Sequence, residues 1–120
     1  MTREEKQLLL IDICARLLYG VMCNVFNGKY DEDMKLSPSL LSWDINDIKP
    51  YLRSMSTMTE MEKQQFNLLS MNRIVPDGFG KDVQMYSIKC IDWLNAHHFD
   101  YRGLIEKGLA LEAPRGMYNN

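Results

Sequence analysis

Both histidines of the chain, His97 and His98, stand side by side, with Cys90, Asp92 and Asp100 nearby. These are metal-ligating residue types. Neighbouring helix positions point about 100° apart, however, and a closed zinc site needs four convergent ligands, commonly at C-x₂₋₄-C or H-x₃₋₅-H spacing. The pair is therefore expected near a helix end, where the dipole favours it, with no metal and no cofactor.

Nucleophilic catalysis fares no better. Cys14, Cys23 and Cys90 are each set among apolar neighbours, which suits buried reduced thiols rather than a thiolate with a base beside it. The acidic run Asp31-Glu32-Asp33 follows Asn27-Gly28 and reads as the solvated face of a hairpin. Gly78-Phe79-Gly80-Lys81-Asp82 has the glycines and lysine of a phosphate-cradling turn, but lacks the full G-x-x-x-x-G-K-S/T string and its preceding strand. The expectation is a protein that is not an enzyme, with no catalytic residues. Tyr51, Arg53, His97, His98, Tyr101 and Arg102, several of them types enriched at binding hot spots, form the candidate interaction surface. Trp93 is expected in the core.

The 120 residues, with 46% hydrophobic and 25% charged side chains, describe an ordinary globular chain, read as a single domain over 1–120. Fourteen basic against sixteen acidic side chains give a formal charge of −2, too little positive field for general nucleic-acid binding. No apolar run approaches a membrane span, acidic residues occupy the place of a signal peptide's basic start, and the cysteine pattern suits a reducing compartment. The expected location is cytoplasmic, with no membrane contact.

Thr2 and Glu5 have capping-box spacing, so a helix is predicted over 1–18, with Leu9, Ile13, Arg16 and Leu17 on one face and Leu10, Cys14 and Leu18 beside them. Alternation from Val21 to Phe26, the Asn27-Gly28 pair and a return to Leu36 predict a hairpin. Leu40 to Trp43 and Ile48 to Arg53 add further extended pieces, with Pro50 placing the latter at an edge or strand end. Thr57 with Glu60, or Thr59 with Glu62, caps a second helix. The segment 72–80 reads as a loop, Asp82 as the cap of a helix reaching about His97, and Asp100 as the cap of another ended by Gly108. The sum is an α+β fold: an N-terminal helix, a small curled antiparallel sheet over 20–53 approaching a partial barrel, a helical part with three helices over 57–110, and a tail over 114–120.

Three segments carry a resemblance: Cys14-Ala15-Arg16-Leu17-Leu18-Tyr19-Gly20-Val21, Ile48-Lys49-Pro50-Tyr51-Leu52-Arg53-Ser54-Met55-Ser56, and Asp92-Trp93-Leu94-Asn95 through Pro114. They resemble a family of small proteins of Bacteroides-type gut bacteria and their phages and prophages, whose corresponding strings run C-A-R-L-P-Y-G-V, I/V-K-P-Y-L-R and D-W-L-N-x-x-H-F-D-Y-R-G-L-I-x-K-G-L-A. Leu18 and Ser54 stand where the family has proline. The resemblance implies a phage or prophage origin, and brings no activity, ligand or catalytic residue. The functional expectation is a non-enzymatic cytosolic protein that binds another macromolecule, namely a protein partner. The alternatives are a small-molecule binder for a nucleotide-like anion, and a DNA-binding accessory, the latter disfavoured by charge. Homo-oligomerisation stays open.

Overall fold

The computed structural model describes residues 1–70, 73–76, 82–85 and 88–118. The first helix, α1 (Arg3–Ala15), opens on the predicted box: Glu5 N donates to Thr2 Oγ1 at 3.1 Å, and Thr2 N donates to Glu5 Oε1 at 2.8 Å. Leu9, Asp12, Ile13 and Arg16 recur at helical spacing on its inner side and are all buried. Leu10, Cys14 and Leu18, expected beside that stripe, are exposed, Leu18 by 91%. Of the three cysteines only Cys23 and Cys90 are core thiols, because the stripe is narrow and Cys14 falls outside it.

Strand β1 (Met22–Phe26) alternates as its sequence requires, with Cys23 and Val25 fully buried and Phe26 outside. It pairs antiparallel with β2 (Asp31–Lys35), from Met22 opposite Lys35 to Phe26 opposite Asp31. The connecting loop is built by Asn27, whose Oδ1 accepts from Lys29 N and Tyr30 N, and by Gly28 at a φ of 98°, which a side chain would strain. The expected strand at 40–43 is instead part of a 3₁₀ helix, Pro38–Ser42, that drives Leu40 into the core.

Strand β3 (Ile48–Leu52) buries Ile48, Pro50 and Leu52. Contrary to the expectation of an edge or strand-end position for Pro50, the strand lies inside a four-stranded open sheet of order β2-β1-β3 and then β6 (Leu111–Glu112), and the sheet does not close into a barrel. Strand β6 joins parallel to β3, opposite Tyr51 and Leu52. Pro50 is tolerated because that ladder begins only after it.

Beyond the sheet, α2 (Glu60–Ser70) is capped by the second of the two candidate boxes: Thr59 N donates to Glu62 Oε1 at 2.9 Å, and Glu62 N donates to Thr59 Oγ1. The long helix expected from Asp82 is not formed. β4 (Arg73–Pro76) and β5 (Asp82–Met85) make a separate antiparallel hairpin, and α3 spans only Ile88–Ala96. The loop expected over 72–80 is thus partly strand, and Gly78 to Lys81 lie outside the described residues. The last predicted helix is also absent. Asp100 does act as a cap, its carboxylate accepting from Leu104 N and Ile105 N, but Gly103 at a φ of 73° leaves the helical region at once. The segment continues as turns that place Leu104, Leu109 and Ala110 in the core. Three α-helices, not four, are therefore present among the described residues, and none is long and apolar enough to cross a membrane.

Among the described residues the interior has two apolar centres. One joins α1 and the sheet through Leu9, Ile13, Val21, Val25, Ile48 and Leu52; the other joins Met58, Cys90, Leu94 and Phe99, with Phe66 and Trp93 packed against them. Trp93, expected in the core, packs there partly buried rather than sealed within it.

Candidate functional site

Three of the six residues singled out in the sequence, Arg53, His97 and His98, are drawn into a polar seam around Phe99. Arg53 is buried, and its guanidinium makes a two-pronged pair with Glu62 at 2.8 Å per contact. The same guanidinium lies 4.1 Å from the Phe99 ring centroid, while the Trp93 ring stacks on Phe99 at 5.7 Å. The backbone closes the seam: Arg53 N donates to His98 O, and Asp100 N donates to Arg53 O. His97 keeps its side chain 39% exposed, with its ring on Trp93 and Nδ1 3.7 Å from Glu62. The Arg53 hydrogen bonds hold the Glu62 carboxyl down at about 2, against the raising effect of burial.

Tyr101 and Arg102 belong to a second cluster on the α1 side. Fully buried Asp12 accepts from Arg16 Nε at 2.8 Å, Arg16 Nη2 at 3.1 Å and Arg102 Nη1 at 2.8 Å. Arg16 Nη2 continues to Phe99 O at 2.7 Å. Both guanidinium groups lie over the Tyr101 ring, that of Arg16 5.2 Å and that of Arg102 4.7 Å from its centroid, and the Tyr101 hydroxyl donates to Asn95 Oδ1. One carboxylate thus serves two cations, an arrangement that fixes the C-terminal turns against α1.

His98 adopts a φ of 65° and stacks on Tyr118 at 3.8 Å between ring centroids. Burial, with Arg16 adding to it, lowers the His98 pKa to about 4, so the ring is neutral at pH 7. Tyr118 in turn accepts from Met22 N and donates to Tyr51 O, tying the C-terminal segment across β1 and β3. Tyr51 directs its hydroxyl to Asp33 at 2.8 Å. Among the described residues no group of three His, Cys, Asp or Glu side chains is placed to hold a metal. Burial pushes the Cys23 thiol up to about 12 and raises that of Cys90, which disfavours both as nucleophiles.

Acid should unfold the protein in two stages. An unfolded His98 binds a proton near its ordinary value of 6.5 while the folded one resists to about 4, so the unfolded state holds more protons in that window and stability falls as pH falls. The loss should reach about 2 kcal/mol, after discounting for partial exposure. Glu62 then contributes stability present above its ordinary 4.5 and lost toward about 2. Urea midpoints measured against pH check this, and His98→Asn, which tolerates the left-handed backbone, should flatten the upper stage only.

The surface offers a different set of groups. Phe26, at the outer end of β1, and Trp43, after the 3₁₀ helix, line an open cleft of about 370 Å³ with Asn27, Gly28, Asp44 and Asp47. The two aromatic residues are 42% and 37% exposed, and Tyr30 in the hairpin loop is 59% exposed. A second cleft of about 300 Å³ shares Phe26 and Asp47 and adds Asp31 and Lys49. Asp47 and Asp31 make no ion pair among the described residues. No family model matches this chain, and no curated protein and no solved structure matches it either. The sequence signal for this cleft was the outward parity of Met22, Asn24 and Phe26, which puts an aromatic ring at the solvent end of a hairpin. Trp43 could not be joined to it from sequence, because a 3₁₀ helix replaces the strand expected there.

Proposed function

We propose that this protein acts without catalysis of its own, by binding another macromolecule, a protein partner, through the cleft lined by Phe26 and Trp43, beside the exposed Tyr30 of the hairpin loop. The observation that carries the reading is the exposure of two large aromatic side chains, Phe26 and Trp43, that line one cleft. Aromatic residues are the usual anchors of protein interfaces, and they bring large contact area at a small entropic cost. Arg53, Tyr101 and Arg102, the other candidates of anchoring type, are occupied by contacts within the chain. The carboxylates lining the cleft speak against a nucleotide-like anion or DNA as its ligand, since both would bring negative charge to Asp44 and Asp47. The resemblance to proteins of Bacteroides-type bacteria and their phages supports a phage or prophage origin, and the cysteine pattern a cytoplasmic setting.

The test is co-purification of the tagged protein from its native host, comparing wild type with a Phe26→Ser/Trp43→Ser variant shown by circular dichroism to fold. A partner enriched with wild type should fall by about tenfold or more with the variant, as loss of hot-spot anchors requires. Equal recovery by both proteins would overturn the reading.

A further inference from the structure

We infer that the cleft between Phe26 and Trp43 is a receptor for an arginine side chain presented by the partner protein. The inference rests on the reading above and names the chemistry of its contact. Two aromatic rings border the cleft, and aromatic faces attract a cation through their quadrupole. Two residues that carry carboxylates, Asp44 and Asp47, line the same cleft.

Their lone pairs are unequally engaged. Asp44 Oδ1 caps the short 3₁₀ turn Ile45–Asp47, accepting from Asn46 N at 3.0 Å and Asn46 Nδ2 at 2.8 Å, whereas its Oδ2 takes no hydrogen bond among the described residues. Asp47 makes no ion pair there, and Lys49 stands in the neighbouring cleft without bridging it. Across both clefts three carboxylates, Asp31, Asp44 and Asp47, face one lysine, so the local charge is negative.

A planar guanidinium answers both features at once, because it stacks on an aromatic face while its N–H groups fork onto a carboxylate. An ammonium would satisfy the charge but not the plane, and an apolar side chain would leave Asp47 facing hydrocarbon. The volume of about 370 Å³ is ample for the head and stem of one such side chain. Tyr30 and the acidic strand Asp31-Glu32-Asp33 extend the same character along the edge of the sheet, where flanking basic residues of the partner would lie.

The probe is an acetylated, amidated Gly-Arg-Gly-Arg-Gly peptide, with the citrulline peptide of equal shape and no charge as its counterpart. Binding is followed by NMR through the Trp43 indole and Phe26 amide signals of the intact protein. Saturable shifts at those signals are expected, with affinity at least about fivefold weaker for citrulline, for Trp43→Ala and for Asp47→Asn. Trp43→Ala changes no charge, so its effect separates stacking from general attraction to an acidic surface. Equal affinity for the citrulline peptide, or arginine binding unchanged in both variants, would overturn the inference. If the host partner depends on Trp43 but the arginine peptide neither binds nor displaces it, the arginine receptor falls while the interaction surface stands.

Discussion

Asp12→Asn is expected to destabilise the fold by about 4 kcal/mol, which for a domain of this size lowers the melting temperature by roughly 15 °C. Asp12 is fully buried and is, among the described residues, the only carboxylate bonded to Arg16, whose side chain is also fully buried. Asparagine keeps the shape and one acceptor but removes the charge, leaving the guanidinium groups of Arg16 and Arg102 without their shared counter-charge. Removing one partner of a buried pair is far more harmful than exchanging the whole pair, since the remaining ion keeps its desolvation penalty. Arg102 provides the internal control: its side chain is 22% exposed, so Arg102→Gln should cost about 1 kcal/mol, in line with a solvent-screened pair. Urea unfolding of Asp12→Asn, Arg102→Gln and the double variant forms the check. A loss below about 1 kcal/mol for Asp12→Asn would show that the cluster does not hold the C-terminal turns to α1.

The second large effect falls on Arg53. Arg53→Met keeps much of the hydrophobic stem but deletes the fork to Glu62 and the contact over Phe99, and should cost about 3 kcal/mol. It also carries a pH signature that a simple packing defect lacks. With Arg53 gone, the main cause of the low Glu62 pKa is gone, so the lower acid stage of unfolding should shrink in the variant. Thr59 N still donates to Glu62 Oε1, so α2 should keep its start. NMR titration of the Glu62 side-chain carboxyl in wild type and variant measures this directly. An unchanged titration would remove Arg53 from its assigned role.

These two residues also show how far the sequence could be read. Arg16 was placed on the inner stripe of α1 by spacing alone, and Asp12, four residues earlier, shares its face. The pairing of Asp12 with Arg102, ninety residues away, has no trace in local pattern. Arg53 was assigned to a candidate surface because arginine is enriched at interfaces. Its burial arises from Glu62, which local pattern offered only as one of two capping-box partners. A polar side chain's location depends on whether a counter-charge meets it, and that is a long-range fact.

The elements divide along the same line. Local chemistry determined the Thr2–Glu5 start of α1, the Asn27-Gly28 hairpin with its buried Cys23 and Val25, the capping of α2, and the mixed α and β content, because each follows from hydrogen bonds or side-chain periodicity within a few residues. Only the tertiary structure decided that β6 would close the sheet from the far end of the chain, that Asp82–Met85 would pair as a strand instead of starting a helix, and that Asp100 would cap turns rather than a fourth helix. For β6 the partner residues, Tyr51 and Leu52, lie far earlier in the chain, a contact that no local pattern carries. The cleft of Phe26 and Trp43 belongs to the second group: each residue was visible alone, and the surface they share exists only after the chain has folded.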